Sequence, residues 1–112
     1  MAAKAAPDTV PVRESSVSKN GQTLRVVSAR ADLTGQRELT WAADAGHQVG
    51  TARCTQNFQF SPDSPAAIRP TMLLCWRTST QKSVYVIEVN LKGRPSEADA
   101  TGTLTWEWYR LG

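Results

Sequence analysis

Two apolar stretches near the middle of the 112-residue chain restrict its fold most strongly. Residues 71–79, TMLLCWRTS, and residues 83–91, SVYVIEVNL, are separated only by a short polar segment around Thr80 and Gln81. Two such runs with a short polar connection indicate an antiparallel hairpin. Because apolar and polar residues alternate in the second run, we predict a sheet with one solvent-exposed face, on which Glu88 would lie.

The N-terminal segment differs in composition from the rest of the chain. Residues 1–18 are dominated by Ala, Ser, charged residues and two prolines, and bury too little apolar surface to offset the entropy of ordering. We therefore predict a flexible tail or tether over residues 1–18 and a single globular domain over residues 19–112. That domain should begin with a hairpin, because Asn20-Gly21 suits the two central positions of a type I′ turn.

The stretch before the apolar hairpin carries conflicting signals. Residues 38–43 alternate as in a strand, and the DAGH segment that follows offers a turn into a second hairpin. In its next strand Cys54, Phe58 and Phe60 would share one face. A short helix over residues 35–44 is the alternative, since Glu, Leu and Ala favour helices.

The C-terminal segment, residues 96–111, can form a helix or a strand. A helix is favoured because Ser96 is a good N-cap, acidic residues follow it, Arg110 lies in the last turn and Gly112 comes after it. A helix would place three apolar residues on one stripe: Leu104, Trp108 and Leu111. The strand alternative rests on the alternation of Leu104, Trp106 and Trp108.

These elements predict an α+β fold: an antiparallel sheet of about five strands with a C-terminal helix on one face. An all-β sandwich or small barrel is the alternative. If the two cysteines pair within one sheet, Phe58 and Leu73 should lie on one side of it and Met72 and Trp76 on the other. Both faces would then need cover, which the helix could provide on one side.

Cys54 and Cys75 flank residues 61–70, SPDSPAAIRP, which contain three prolines and should form a loop. The cysteines would form a disulfide in an exported protein and remain buried thiols in a cytosolic one. The apolar neighbours of Cys75 disfavour the thiolate that a nucleophile needs. An even cysteine count behind a linker-like segment favours the disulfide, and with it an extracellular or cell-envelope location.

No motif indicates catalysis. The only histidine, His47, lies in a predicted turn, and the sequence has no CxxC pair, calcium loop, nucleophile elbow or phosphate-binding loop. We therefore predict a protein that is not an enzyme and needs no metal or cofactor.

The net charge of +3 comes from Arg and Lys residues interleaved with acids, without the basic run typical of a nucleic-acid site. We therefore expect no nucleic-acid partner. No apolar run reaches the roughly 20 residues of a transmembrane helix. The first residues lack the apolar core of a signal peptide, so export would require that a signal segment has been removed.

Partner binding is the remaining function class. Trp41, Trp76 and Trp108 lie in apolar patterns and should be core residues, whereas Trp106 has polar neighbours and should be exposed. Prolines restrict the loop before binding, and Arg69 can hold a carboxylate. The candidate partner-binding residues are Pro62, Pro65, Ile68, Arg69, Trp106 and Arg110.

The predicted function is that of a non-enzymatic extracytoplasmic binding or structural domain, such as the soluble part of a secreted or membrane-tethered protein. Its partner would be a protein or another envelope component. A disulfide-clamped, protease-inhibitor-like domain and a carbohydrate-binding module that uses exposed Trp are the alternatives.

Overall fold

Six antiparallel strands and a C-terminal helix form the framework of the computed structural model, which describes residues 10–19 and 21–112. The sheet has the strand order β1-β2-β8-β7-β4-β3, while β5 and β6 pair separately. The α+β prediction is confirmed, with six strands in place of about five, and the sheet is not a closed barrel. In chain order the elements are β1 (Val12–Lys19), β2 (Gln22–Ala29), a 3₁₀ helix (Arg37–Trp41), β3 (His47–Val49), β4 (Ala52–Thr55), β5 (Asn57–Phe58), β6 (Ala67–Ile68), β7 (Met72–Thr78), β8 (Ser83–Asn90) and α1 (Glu97–Arg110).

The predicted central hairpin forms β7 and β8, in which Trp76 is opposite Tyr85. The prediction of a solvent-exposed face on this hairpin is wrong, because Glu88 is fully buried. Strand β8 lies between β2 and β7, and an apolar cluster covers each of its faces. The first cluster includes Val84 and Val86, and the second includes Tyr85 and Ile87. The alternation along β8 therefore reflects two faces that pack against different clusters, and neither face is exposed to solvent.

Helix α1 confirms the helical interpretation of residues 96–111. The Ser96 hydroxyl accepts a hydrogen bond from the Asp99 backbone N–H at 3.1 Å, as an N-cap should. The predicted stripe is buried against β2, β7 and β8. The helix and the sheet together form the first cluster, whose apolar residues include Leu73, Val84, Val86, Leu104, Trp108 and Leu111. Within the described residues, no helix is long and apolar enough to cross a membrane.

The opposite face of the sheet is covered by the 3₁₀ helix, which corrects the strand predicted over residues 38–43. The helical alternative over residues 35–44 is nearer to the structure. This segment lies across the sheet because Leu39 and Trp41 pack on the second apolar cluster and Glu38 hydrogen-bonds to Arg25.

The predicted hairpin across the DAGH segment is wrong, because β3 pairs with β4 through a turn at residues 50 and 51. The predicted DAGH turn instead leads from the 3₁₀ helix into β3. Gly46 in that turn has φ +71°, and a Cβ there would lie 2.8 Å from the Cys54 carbonyl oxygen. The chain leaves the main sheet after Thr55, so Cys54 and Phe58 do not share a face as predicted. Phe58 instead lies in the second cluster with Trp76, on the side opposite Leu73.

The N-terminal boundary also differs from the prediction. Strand β1 includes residues 12–18, which we predicted to be part of the tail, whereas residues 1–9 and Asn20 lie outside the described residues. Apolar periodicity could not reveal this strand because almost all of its side chains are exposed. Backbone pairing with β2 places Lys19 opposite Gln22, as the predicted hairpin requires.

Candidate functional site

The predicted proline loop is anchored to the body of the protein at both ends. Cys54 and Cys75 are opposite each other on β4 and β7, are fully buried and form the predicted disulfide. Beyond these strands, β6 in the second half of the loop pairs with β5. The Arg69 backbone N–H donates to the Gln56 carbonyl oxygen at 2.8 Å, and thus holds the exit of the loop.

Hydrogen bonds also order the interior of this loop. The Gln59 side-chain amide donates to the Ser64 carbonyl oxygen at 2.8 Å, and the hydroxyls of Ser61 and Ser64 are 2.6 Å apart. The Ser64 backbone N–H donates to the Ser61 carbonyl oxygen at 3.2 Å. Together with Pro62 and Pro65, these bonds restrict the loop before any partner arrives.

The loop presents apolar side chains to solvent. Ile68 is 64% exposed and Phe60 is 40% exposed. The Phe60 ring is supported from inside, with its centroid 5.6 Å from that of Phe58 and 5.2 Å from that of Trp41. The Arg69 guanidinium carbon lies 5.6 Å from the Phe60 centroid. We call the exposed residues Phe60, Pro62, Pro65, Ile68 and Arg69 the proline-loop surface.

The structure does not unite the six predicted partner-binding residues. Trp106 and Arg110 lie on α1, which covers the face of the sheet opposite to the cluster that supports the loop. Trp106 is exposed as predicted, while Trp108 is buried and Trp41 and Trp76 are partly buried. Arg110 donates to the Glu107 carboxylate at 2.8 and 2.6 Å.

Sequence reasoning missed two exposed aromatic residues. Phe60 was predicted only as a member of a strand face, and Tyr109 was not singled out. Tyr109 lies three positions after Trp106 on α1, so helical spacing could have identified it once the helix was preferred. The exposure of Phe60 results from the departure of the chain from the main sheet after Thr55, which strand alternation does not predict.

Buried ionisable groups form a second candidate for chemistry. The Tyr85 hydroxyl donates to the Glu38 carboxylate, which also accepts from Arg25 Nε at 2.9 Å. Burial and the hydrogen bond to Glu38 raise the pKa of Tyr85 to about 12. Burial opposes ionisation of Glu38, but the hydrogen bond from Tyr85 and the charge of Arg25 outweigh it and lower the pKa of Glu38. At neutral pH Tyr85 is therefore neutral and Glu38 is ionised, and their hydrogen bond joins the 3₁₀ helix to the sheet.

His47, Glu97 and Glu88 also make structural contacts. His47 Nε2 contacts the Glu97 carboxylate, and thus connects β3 to the start of α1. Glu88 Oε2 accepts from the Gln22 side-chain amide at 2.6 Å and from the Ser96 backbone N–H at 2.8 Å. Within residues 10–19 and 21–112, no three His, Cys, Asp or Glu side chains are grouped to hold a metal ion.

The chain matches no family model, no curated protein and no solved structure. Function is therefore inferred from the exposed residues of the proline-loop surface and from the chemistry of the interior groups.

Proposed function

We propose that this chain is a non-enzymatic binding domain that acts outside the cytoplasm and engages a protein partner through the proline-loop surface. The observation that carries the proposal is the exposure of Phe60 and Ile68 on a loop that hydrogen bonds and β5–β6 pairing hold in place. An exposed apolar side chain on an ordered loop gains free energy on binding with little loss of conformational entropy.

The proline-loop surface carries two exposed apolar side chains, Phe60 and Ile68, and one cation, Arg69, which lies beside the Phe60 ring. Burial of a whole Ile or Phe side chain contributes about 1.5–3 kcal/mol, and the parts of Ile68 and Phe60 that remain exposed contribute a share of this. Arg69 adds a planar donor that can bind a carboxylate through two hydrogen bonds. The matching partner surface would carry an apolar recess next to an Asp or Glu side chain.

The interior chemistry supports a role without catalysis. General acid–base catalysis works best with a group whose pKa is near the working pH. Tyr85 and Glu38 have pKa values moved away from neutrality in opposite directions, and their contacts fix the fold. These two residues therefore act as structural groups in this proposal.

The disulfide supports a location outside the cytoplasm. Structural disulfides form and persist in oxidising compartments and are rare where thiols are kept reduced. The Cys54–Cys75 bond is buried between two sheet strands, as expected of a structural bond. The domain would then be the soluble part of a secreted or membrane-tethered protein.

The test is a pulldown from the secreted and envelope fractions of the source organism. The native domain is compared with a variant in which residues 66–69, AAIR, are replaced by Gly-Ser-Gly-Ser. The control makes the same replacement at residues 91–94, LKGR, which are also exposed and include an apolar side chain and two cations. We expect the loop variant to lose a specific partner that the native and control proteins recover. Equal recovery by all three proteins would show that the loop is only a connection.

A further inference from the structure

Five cationic side chains surround the last turns of α1, although they are far apart in the sequence. On one side of the helix, the Arg77 guanidinium lies 4.0 Å and the Lys82 ammonium 4.5 Å from the centroid of the Trp108 ring. Lys82 Nζ also donates to the Trp108 carbonyl oxygen at 3.0 Å. These contacts fix two positive charges beside the helix C-terminus.

The other side of the same helix end carries three more cations. Arg110 pairs with Glu107, and Arg13 Nε lies 3.8 Å from a Glu107 oxygen. Arg30 lies beside Gly112, and with Arg13 and Leu111 it lines a groove of about 290 Å³. We call these five residues the cationic cluster: Arg13, Arg30, Arg77, Lys82 and Arg110.

Among residues 10–19 and 21–112, one acid has a contact with the cluster. It is Glu107, and its hydrogen bonds to Arg110 are already formed. The other acids of α1, Glu97 and Asp99, lie in the first turn, at the opposite end of the helix. The C-terminal end of α1 is therefore a positively charged surface.

Two aromatic rings project from α1 between the two groups of cations. Trp106 is 67% and Tyr109 is 69% exposed. At about 100° per residue they are about 60° apart around the helix axis, on the side away from the buried Leu104. Gly102 lies one turn before Trp106, and no atom of the described part of the chain lies within 4 Å of the position that a Cβ at Gly102 would occupy. The exposed side of the helix is therefore an aromatic ridge, Trp106 and Tyr109, with cations on both flanks.

We propose that this end of α1 docks on the surface of an anionic lipid bilayer. Trp and Tyr rings favour the interfacial region of a membrane, because one part of the ring is apolar and another forms hydrogen bonds. The flanking cluster complements lipid phosphates, and each Lys or Arg near an anionic surface strengthens binding about fivefold. The inference is independent of the proposed function, because the proline-loop surface is supported from the opposite face of the sheet. A domain docked in this way leaves that loop free for a protein partner.

The test is flotation of the full chain with lipid vesicles. Vesicles of phosphatidylcholine alone are compared with vesicles in which phosphatidylglycerol replaces about a third of the lipid. We expect binding to the anionic vesicles only, weakening with added salt. Arg30→Gln should weaken it about fivefold, and Trp106→Ser at least as much. Lipids with brominated acyl chains should quench the Trp106 fluorescence of the bound native chain. The Trp106→Ser variant, which lacks this emission, should show correspondingly less quenching.

Matched variants separate docking from nonspecific attraction. Arg94→Gln removes one charge at the other end of α1, and Leu91→Ser removes an exposed apolar side chain far from the ridge. Both should bind as the native chain does. Equal binding to neutral and anionic vesicles, or equal weakening by Arg94→Gln and Arg30→Gln, would overturn the proposal. Undiminished binding by Trp106→Ser, with equally tight binding of soluble duplex DNA, would instead identify a site for polyanions.

Discussion

Replacement of Cys54 by Val and Cys75 by Ala should lower the free energy of unfolding by about 3 kcal/mol. The bond closes a chain segment with a sequence separation of 21, and the loss of that closure corresponds to about 3 kcal/mol of unfolded-state entropy. A Val–Ala pair approximately fills the volume of the two sulfurs, so the cavity contribution stays small. Since native domains are stable by only about 5–15 kcal/mol, this is a large share of the total.

Urea unfolding monitored by tryptophan fluorescence measures this loss. The slope of the free energy against urea should increase, because the unfolded chain without its crosslink exposes more surface. A loss below about 1 kcal/mol with an unchanged slope would refute the entropic argument. Thiol titration of the native chain, denatured without reduction, checks the disulfide directly. Two free thiols would show that Cys54 and Cys75 are not bonded, and the predicted loss of stability would then have no basis.

Three further predictions concern the interior and the helix cap. Glu88→Leu should cost about 2–4 kcal/mol in urea unfolding, because the Gln22 amide and the Ser96 backbone N–H lose their acceptor. Glu88→Gln keeps an acceptor and should cost less, so equal losses would contradict this reasoning. Ser96→Ala should cost about 1 kcal/mol through loss of the N-cap, and native-like stability would argue against it. Because the pKa of Tyr85 is raised from 10.0 to about 12, its stabilising effect should be complete below about pH 10 and disappear between about pH 10 and 12. The tyrosinate absorbance that Tyr85→Phe removes should titrate near pH 12, and titration near pH 10 would be inconsistent with a buried hydroxyl.

Local patterns were sufficient to predict β7, β8 and α1. A strand run bounded by polar turns, or a helix with a cap and acids at its start, is specified within about a dozen neighbouring residues. The helix prediction succeeded because Ser96 and the apolar stripe Leu104, Trp108 and Leu111 act within one segment. The disulfide was predictable for the same reason, since both cysteines flank one loop.

Features that depend on distant residues were not predictable in this way. Residues 37–41 form a 3₁₀ helix in place of the strand predicted over residues 38–43, because Glu38 bonds to Arg25 on β2 and Tyr85 on β8. Glu88 is buried because β2 and α1 supply its donors, and alternation along β8 alone placed it in solvent. Tertiary contacts overrode the local pattern in both places.

The candidate surfaces show the same division. The exposure of Ile68, Arg69 and Trp106 agrees with their polar or proline-rich neighbourhoods. Separation of the loop residues from those of α1 follows from the sheet between them, which periodicity does not reveal. Convergence of the cationic cluster requires the strand order, because its members come from five parts of the chain.

Site-specific photo-crosslinking of the chain in its native compartment tests the proposed binding surface most directly. A photoreactive amino acid replaces Ile68 in one variant and Val17, on β1, in the other. The two side chains are almost equally exposed, at 64% and 63%, so random collisions should label both alike. A partner that binds the proline-loop surface should give a discrete crosslinked band at Ile68 and no such band at Val17. The band at Ile68 should be lost when Ala66, Ala67 and Arg69 are also replaced by Gly, Ser and Ser. Equal labelling at the two positions, or no specific band at Ile68, would contradict the assignment of partner binding to this loop.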